Sequence, residues 1–298
     1  MAATTHRWHA TDGDYENTAN WDSAALPGSG GAGLDTAICD GVSQQAFTTN
    51  LDRETAGDNP LKRFITMPLY RGDIGGPANP LTLEIISPAD GSARVLHRGT
   101  GQFYYKGHSA DYADVFVNTS RSLATSAMIL DGVIRNLWVM KGKVEILSTC
   151  SVTQTIWVCG HNSYCVMNAR SATESIPTKI IVTAGVMDNH RITSTGAGNV
   201  IVVGDGGELR QYGLVQDATS IIHIGAVIRY APNAVPSAST NPQLFTNNGL
   251  LDLSTSAYDI EFDNLVIGPW ATVNGSAEHV SGDFTPLSTF IDMREDYP

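Results

Sequence analysis

Long apolar runs are missing from this chain. None approaches the roughly eighteen residues that cross a bilayer, so no membrane helix is expected. The opening Met1-Ala-Ala-Thr-Thr-His-Arg-Trp8 lacks the apolar core of a secretory signal, which predicts synthesis and folding in a cytosol without export. Lysine and arginine nowhere form a run. With a net charge of −12 and a pI near 4.9, the chain does not offer the concentrated positive charge that phosphate contacts need, so nucleic acid is not an expected partner. Cysteine is scarce. The four are Cys39, Cys150, Cys159 and Cys165; the last three, spaced C-x8-C-x5-C with His161 nearby, contain no CxxC knuckle, and Cys159 and Cys165 fall at apolar positions. They are expected as buried thiols in the interior, with no metal and no cofactor. A sustained 3.6-residue period is also absent, which leaves room only for short helices. GxSxG, HExxH and P-loop signatures do not occur, and Gly204-Asp-Gly-Gly207 has no helix pattern after it.

What the chain does have is glycine and alternation. Only 16% of its 298 residues are charged, and it carries 29 glycines and 13 prolines, a β-rich composition in a length sufficient for one large or two modest cores. Between about 137 and 230 one phrase returns. It reads Leu137-Trp-Val-Met-Lys-Gly142, Ile156-Trp-Val-Cys-Gly160, Ile180-Ile-Val-Thr-Ala-Gly185, Val200-Ile-Val-Val-Gly204 and Ile222-His-Ile-Gly225. Each copy is followed by a second short run: Lys143–Leu147, Tyr164–Met167, His190–Thr193, Glu208–Gln211 and Ala226–Arg229. The glycines lie 18, 25, 19 and 21 residues apart, which is the length of one solenoid coil. β-Branched and aromatic residues at alternate places suit a strand buried on one face, and the glycine suits the corner to the next face. Stacked coils about 4.8 Å apart give the inward side chains neighbours. The expected fold is all-β, a parallel β-helix with coils of about 20 residues. The irregular gaps keep a β-sandwich open as the alternative. Trp138 and Trp157, at equivalent places in neighbouring copies, are expected to stack rather than to form a sugar platform.

The chain order then suggests five segments: a capping or attachment segment over 1–40, a β-helical body over 41–230, and a proline-bearing loop or linker over 231–248. A last coil and closing strand over 249–283 and an arm over 284–298 complete it. In the first of these, Asn20-Trp21, then Leu26-Pro-Gly-Ser-Gly30 and Asp35-Thr-Ala-Ile-Cys39, reads as a segment that lays a tryptophan over the open end of the first coil.

Asn20-Trp21 with its Pro-Gly turn and Asp-led strand resembles the opening of β-helical proteins of tailed-phage virions and some bacterial surface proteins. There a similar turn and strand precede the first coil. Here Gly31-Ala-Gly-Leu34 intrudes before Asp35. Gly72-Asp-Ile-Gly-Gly76 with Pro80-Leu-Thr-Leu83 is similar to the first coils of the same group. The resemblance implies a structural virion protein on the outer surface of the particle, made in the host cytoplasm. Most specifically it implies a trimeric capsid decoration (cement) protein whose partners are itself and the major capsid protein or other virion proteins. Trp8 and Trp21 in the leading segment and Phe290 and Ile291 in the tail are its expected contact residues. Cyclic symmetry would close such an assembly.

The alternative is a tailspike or receptor-binding protein that binds or cleaves a host surface glycan. Glycoside hydrolysis needs two carboxyl groups about 5–10 Å apart, which a coil stack supplies from residues one repeat apart. Asp188, with Asp205 or Glu208 in the next copy and His190 beside them, comes nearest to this. Carboxylates just after glycine corners are also common for structural reasons, so no catalytic residue is expected. The absence of an export signal weighs against a third reading, a bacterial surface module.

Overall fold

The computed structural model describes residues 4–29, 35–53, 61–83, 85, 94–108, 113–169, 179–191, 200–204, 206–212 and 254, with the strands beyond 212 named below. Contacts divide the chain into two compact units, Met1–Thr153 and Gln154–Pro298. The division falls inside the segment read from sequence as one body.

In the first unit a ladder of parallel strands runs through β1 (Thr5–Arg7), β2 (Thr36–Cys39), β4 (Arg63–Thr66), β6 (Arg94–His97), β8 (Asp114–Asn118) and the 136–141 stretch of β9 (Met128–Ile146). A second ladder joins β3 (Asp52–Arg53), β5 (Leu81–Leu83), β7 (Phe103–Gly107) and the start of β9. Alternation explains why these segments are strands. In β4 the burial pattern alternates, so Phe64 and Thr66 point inward while Arg63 and Ile65 point outward. The register then stacks like on like. Ala37, Phe64, Val95, Val115 and Leu137 occupy one inward position on successive rungs, and all five are fully buried. Residues 36–39, placed in the cap by the sequence, are therefore already a rung of the coil stack.

The second unit repeats the plan. One ladder takes the 155–159 stretch of β10 (Ser151–Met167), then β11 (Lys179–Asn189), β12 (Val200–Val203), β14 (Thr219–Ile222), β16 (Gln243–Thr246), β18 (Ile260–Ile267) and β20 (Val280–Pro286). The other takes the 164–167 end of β10, the 185–189 end of β11, β13 (Gly207–Gln211), β15 (Val227–Tyr230), β17 (Leu250–Asp252) and β19 (Thr272–Asn274). Cys165, Met187 and Leu209 form a buried column along it.

Every pairing within these four ladders is parallel, and among the described residues helix is confined to one 3-10 turn, Thr18–Asn20. The chain is thus a parallel β-solenoid, the fold its repeat predicts. A sandwich of antiparallel layers, the alternative, is not what forms.

The glycine corners have a stereochemical basis. β11 serves both ladders, and Gly185, at φ +96, turns it from one to the other. A Cβ there would lie 2.6 Å from the carbonyl oxygens of Gly160 and Ser163. Gly132, at φ +68, makes the corresponding turn in β9. Of the phrase-ending glycines, Gly142 also has positive φ, whereas Gly160 and Gly204 do not, and the positive φ near Gly204 belongs to Gly206.

Three sequence boundaries shift. The sequence repeat puts the fifth copy at 222–225, but the rung is Thr219–Ile222, which pairs with Val200–Val203. Val186–Asn189, not His190–Thr193, lies beside Tyr164–Met167. Residues 243–246, assigned to a loop, form β16, while 231–242 lie outside the described residues. Composition marks turn residues well but does not fix where a rung begins, since coil lengths vary. Phe64, Val95, Val115 and Leu137 are 31, 20 and 22 residues apart.

Candidate functional site

Coil stacking does bring the candidate carboxylates of the second unit to one outer face. Asp188 pairs in register with Arg210, and Val186 with Glu208, so Asp188 and Glu208 are diagonal neighbours on adjacent coils. Arg210 links them: its Nε donates to Glu208 Oε1 at 2.9 Å, and its Nη1 lies 3.7 Å from Asp188 Oδ1. The Tyr164 hydroxyl donates to Asp188 Oδ2. Burial, then the bond to Asp188, pushes the Tyr164 phenol well above its ordinary range, so its proton stays in place. Asp188 is nearly buried under these partners. His190 stacks on Tyr212 with ring centroids 4.3 Å apart. Chemically this is a carboxylate pair held by one guanidinium, which occupies the space a glycosidic oxygen or a water would need between two acids. Asp205 lies outside the described residues, as do Phe290 and Ile291.

The tryptophans expected at a partner contact are core residues of the first unit instead. Trp8 and Trp21 are 0% and 1% exposed. Trp8 stacks on Phe47 at 3.9 Å and meets Trp21 edge-on at 5.0 Å, and Tyr15 adds a further edge contact to Trp21. Their ring nitrogens are satisfied internally, Trp8 Nε1 by the Gln45 carbonyl and Trp21 Nε1 by the Tyr15 carbonyl. Asn20 is buried, its amide donating to Asp12 Oδ1 and the Asp14 carbonyl. Asn20-Trp21 therefore locks the cap. Trp21 lies in the aromatic layer over the first coil, as the sequence suggests, and neither ring has surface for a partner.

The cysteines are free thiols. Cys39, Cys150 and Cys165 are buried, and burial pushes Cys165 up to about 12. Cys159, expected as a buried thiol, is only half-buried: Ile156 and Val158 point inward, so alternation along the strand turns Cys159 outward.

What sequence inspection missed is an outward ladder on the first unit. The register lines up Ile38, Ile65, Leu96, Phe116 and Trp138, all half-exposed, along the outer face of one sheet. Phe116 and Trp138 stack with centroids 4.3 Å apart and planes 2° from parallel. β6 and β9 flank β8 on opposite sides, and the Arg94 guanidinium carbon lies 5.3 Å from the Phe116 centroid. Both faces of Phe116 are thereby covered, and its edge is what solvent meets. Trp138 does stack, though on Phe116. Trp157 instead donates from Nε1 to Thr183 Oγ1. The signal for this ladder was present in a phrase of its own: Thr36-Ala-Ile-Cys, Arg63-Phe-Ile-Thr, Arg94-Val-Leu-His, Asp114-Val-Phe-Val and Asn136-Leu-Trp-Val.

No family model matches this chain, and no curated protein and no solved structure is significantly similar to it.

Proposed function

We propose that this β-solenoid is a structural subunit of a tailed-phage particle, a capsid decoration protein that bridges neighbouring shell subunits and itself assembles as a cyclic trimer. The observation that carries this is the outward apolar ladder from Ile38 to Trp138. A contiguous row of large apolar side chains on an outer face suits an interface better than a solvated wall. The resemblance around Asn20-Trp21 and Gly72–Gly76 supports the virion assignment. In this account the carboxylates around Arg210 are structural. The test is to mix the purified chain with undecorated capsids and image them. Stoichiometric added density on the shell is the expected outcome, and bare shells at saturating protein would overturn the proposal.

A second reading, a glycan-binding or glycan-cleaving tailspike, draws on the grouping of Asp188, Glu208, Tyr164, His190 and Tyr212 on one face. Replacing Asp188 and Asp205 by Asn distinguishes the two. The decoration function predicts unchanged adsorption and no glycan-cleaving activity to lose, whereas a fall in either favours the tailspike.

A further inference from the structure

The sequence has no run of basic residues, yet the coil register assembles one cationic site. Arg63 and Arg94 begin successive rungs and pair directly, and Arg98 leaves the end of the second rung. With Ile65, Leu96, Phe116 and Met140 they line an open groove of about 180 Å³ on the outer face of the first unit. Among the described residues none of the three guanidinium groups has an ion pair, and the Nε atoms of Arg63 and Arg98 are shielded from solvent without a hydrogen-bond partner. The carboxylate in register beside Arg94, Asp114, is already engaged: Arg135 grips both its oxygens at 2.8 Å and Asn136 donates to one of them. Three cations without a carboxylate partner around an apolar floor, in a chain of net charge −12, suit carboxylates carried next to apolar side chains.

The geometry disfavours a sugar, because the ring in the groove has both faces covered and offers no stacking platform. It favours a polypeptide, since about 180 Å³ is the scale of one or two side chains. The chain itself contains a segment of complementary chemistry: Phe290-Ile-Asp-Met-Arg-Glu-Asp296 sets Phe290, Ile291 and Met293 beside Asp292, Glu295 and Asp296. Of the other dense acidic runs, Asp12 to Glu16 is already bonded within its unit to Asn17, Asn20, Asn50 and Arg53, and Ile260-Glu-Phe-Asp263 is part of β18, paired with β20.

We propose that the Arg63–Arg94–Arg98 groove receives the 287–298 segment of a second copy of this chain, and that this contact closes the oligomer. A groove-to-segment contact joins two different patches, so it must repeat around a closed ring to be satisfied in every copy. Ile65, Leu96 and Phe116 of the groove belong to the outward ladder, so this part of the ladder is assigned to the contact between copies, and the proposal rests on the oligomeric part of the assignment above and not on capsid binding.

The test uses the full-length chain in sedimentation velocity. The wild type is expected to sediment as an oligomer that dissociates with rising salt and with excess synthetic peptide 287–298. A peptide carrying Asn or Gln at 292, 295 and 296 should compete at least tenfold less well. Arg94→Glu with Arg98→Glu should yield a smaller species of unchanged circular dichroism. Adding Asp292→Lys and Glu295→Lys to that variant should restore the oligomer, a rescue that mere loss of packing cannot give. Should the double variant misfold, the milder Arg94→Gln, which neutralises an exposed side chain, is expected to weaken assembly at least fivefold. A wild type that is monomeric at all concentrations, or an oligomer indifferent to both arginine variants, overturns the proposal. So does assembly dispersed by a uronate oligosaccharide but not by the peptide. Capsid binding by a monomeric Arg94→Glu/Arg98→Glu variant would leave the decoration function standing while confirming the groove's separate role.

Discussion

His97 shows how strongly one inward position can be conditioned by its coil. It sits between Thr66 and Val117 in the ladder, with Thr66 Oγ1 2.8 Å from its Nδ1. That hydroxyl oxygen already accepts from the backbone N–H groups of Arg98 and Gly99, so its own hydrogen points to Nδ1 and the ring proton is assigned to Nε2. Burial, opposed only in part by the nearby Gly101 and Ala127 backbone, lowers the imidazole to about 4 from an ordinary 6.5. The folded value is the depressed one, so the unfolded chain takes up the proton first as pH falls. Stability from this site is complete above about pH 6.5 and is lost progressively toward pH 4, by on the order of 3 kcal/mol. His97→Gln, which keeps an acceptor for Thr66, is expected to flatten the dependence of the urea midpoint on pH across that window. An unchanged slope would show that His97 is not its source.

At the scale of the element, corners matter more than rungs. A rung tolerates exchange among apolar residues of similar size, whereas a corner glycine is constrained by neighbouring backbone that cannot give way. Gly185 combines φ +96 with carbonyl oxygens 2.6 Å from a prospective Cβ, so Gly185→Ala is expected to cost about 2–3 kcal/mol or more. Gly76 has no positive φ and nothing within 4 Å of such a Cβ, so Gly76→Ala should change stability by less than about 1 kcal/mol. Comparable denaturation midpoints for the two variants would refute this account of the corners. Legibility followed the same division. Gly142 and Gly185 announced their corners because the need for glycine is local. The start of the rung at Thr219 did not, because Thr-Ser-Ile-Ile and Ile-His-Ile are equally good strand sequences, and only pairing with Val200–Val203 chooses between them.

For the molecule as a whole, the aromatic cap decides whether the first unit keeps its core closed. Trp8 lies between Trp21 and Phe47, and Phe47 meets Phe64 edge-on at 6.1 Å, so the cap and the coil interior form one apolar body. Trp8→Ala is expected to cost about 3–5 kcal/mol and to raise light scattering on warming, since unpaired strand edges recruit other chains. Loss of capsid binding by a Trp8→Ala variant of full stability would contradict a purely packing role. Much of this was present in the sequence: β content, glycine corners and coil length are local properties, set by side-chain branching and by φ. The tertiary structure decided what lies beside what. It buried Trp8 and Trp21, tied Asp188 and Glu208 to Arg210, and brought Arg63, Arg94 and Arg98 to one groove from positions up to 35 residues apart. Side chains alternate with a period of two while coil lengths vary by many residues, so neighbours across a solenoid are fixed by register, which no single stretch of chain encodes.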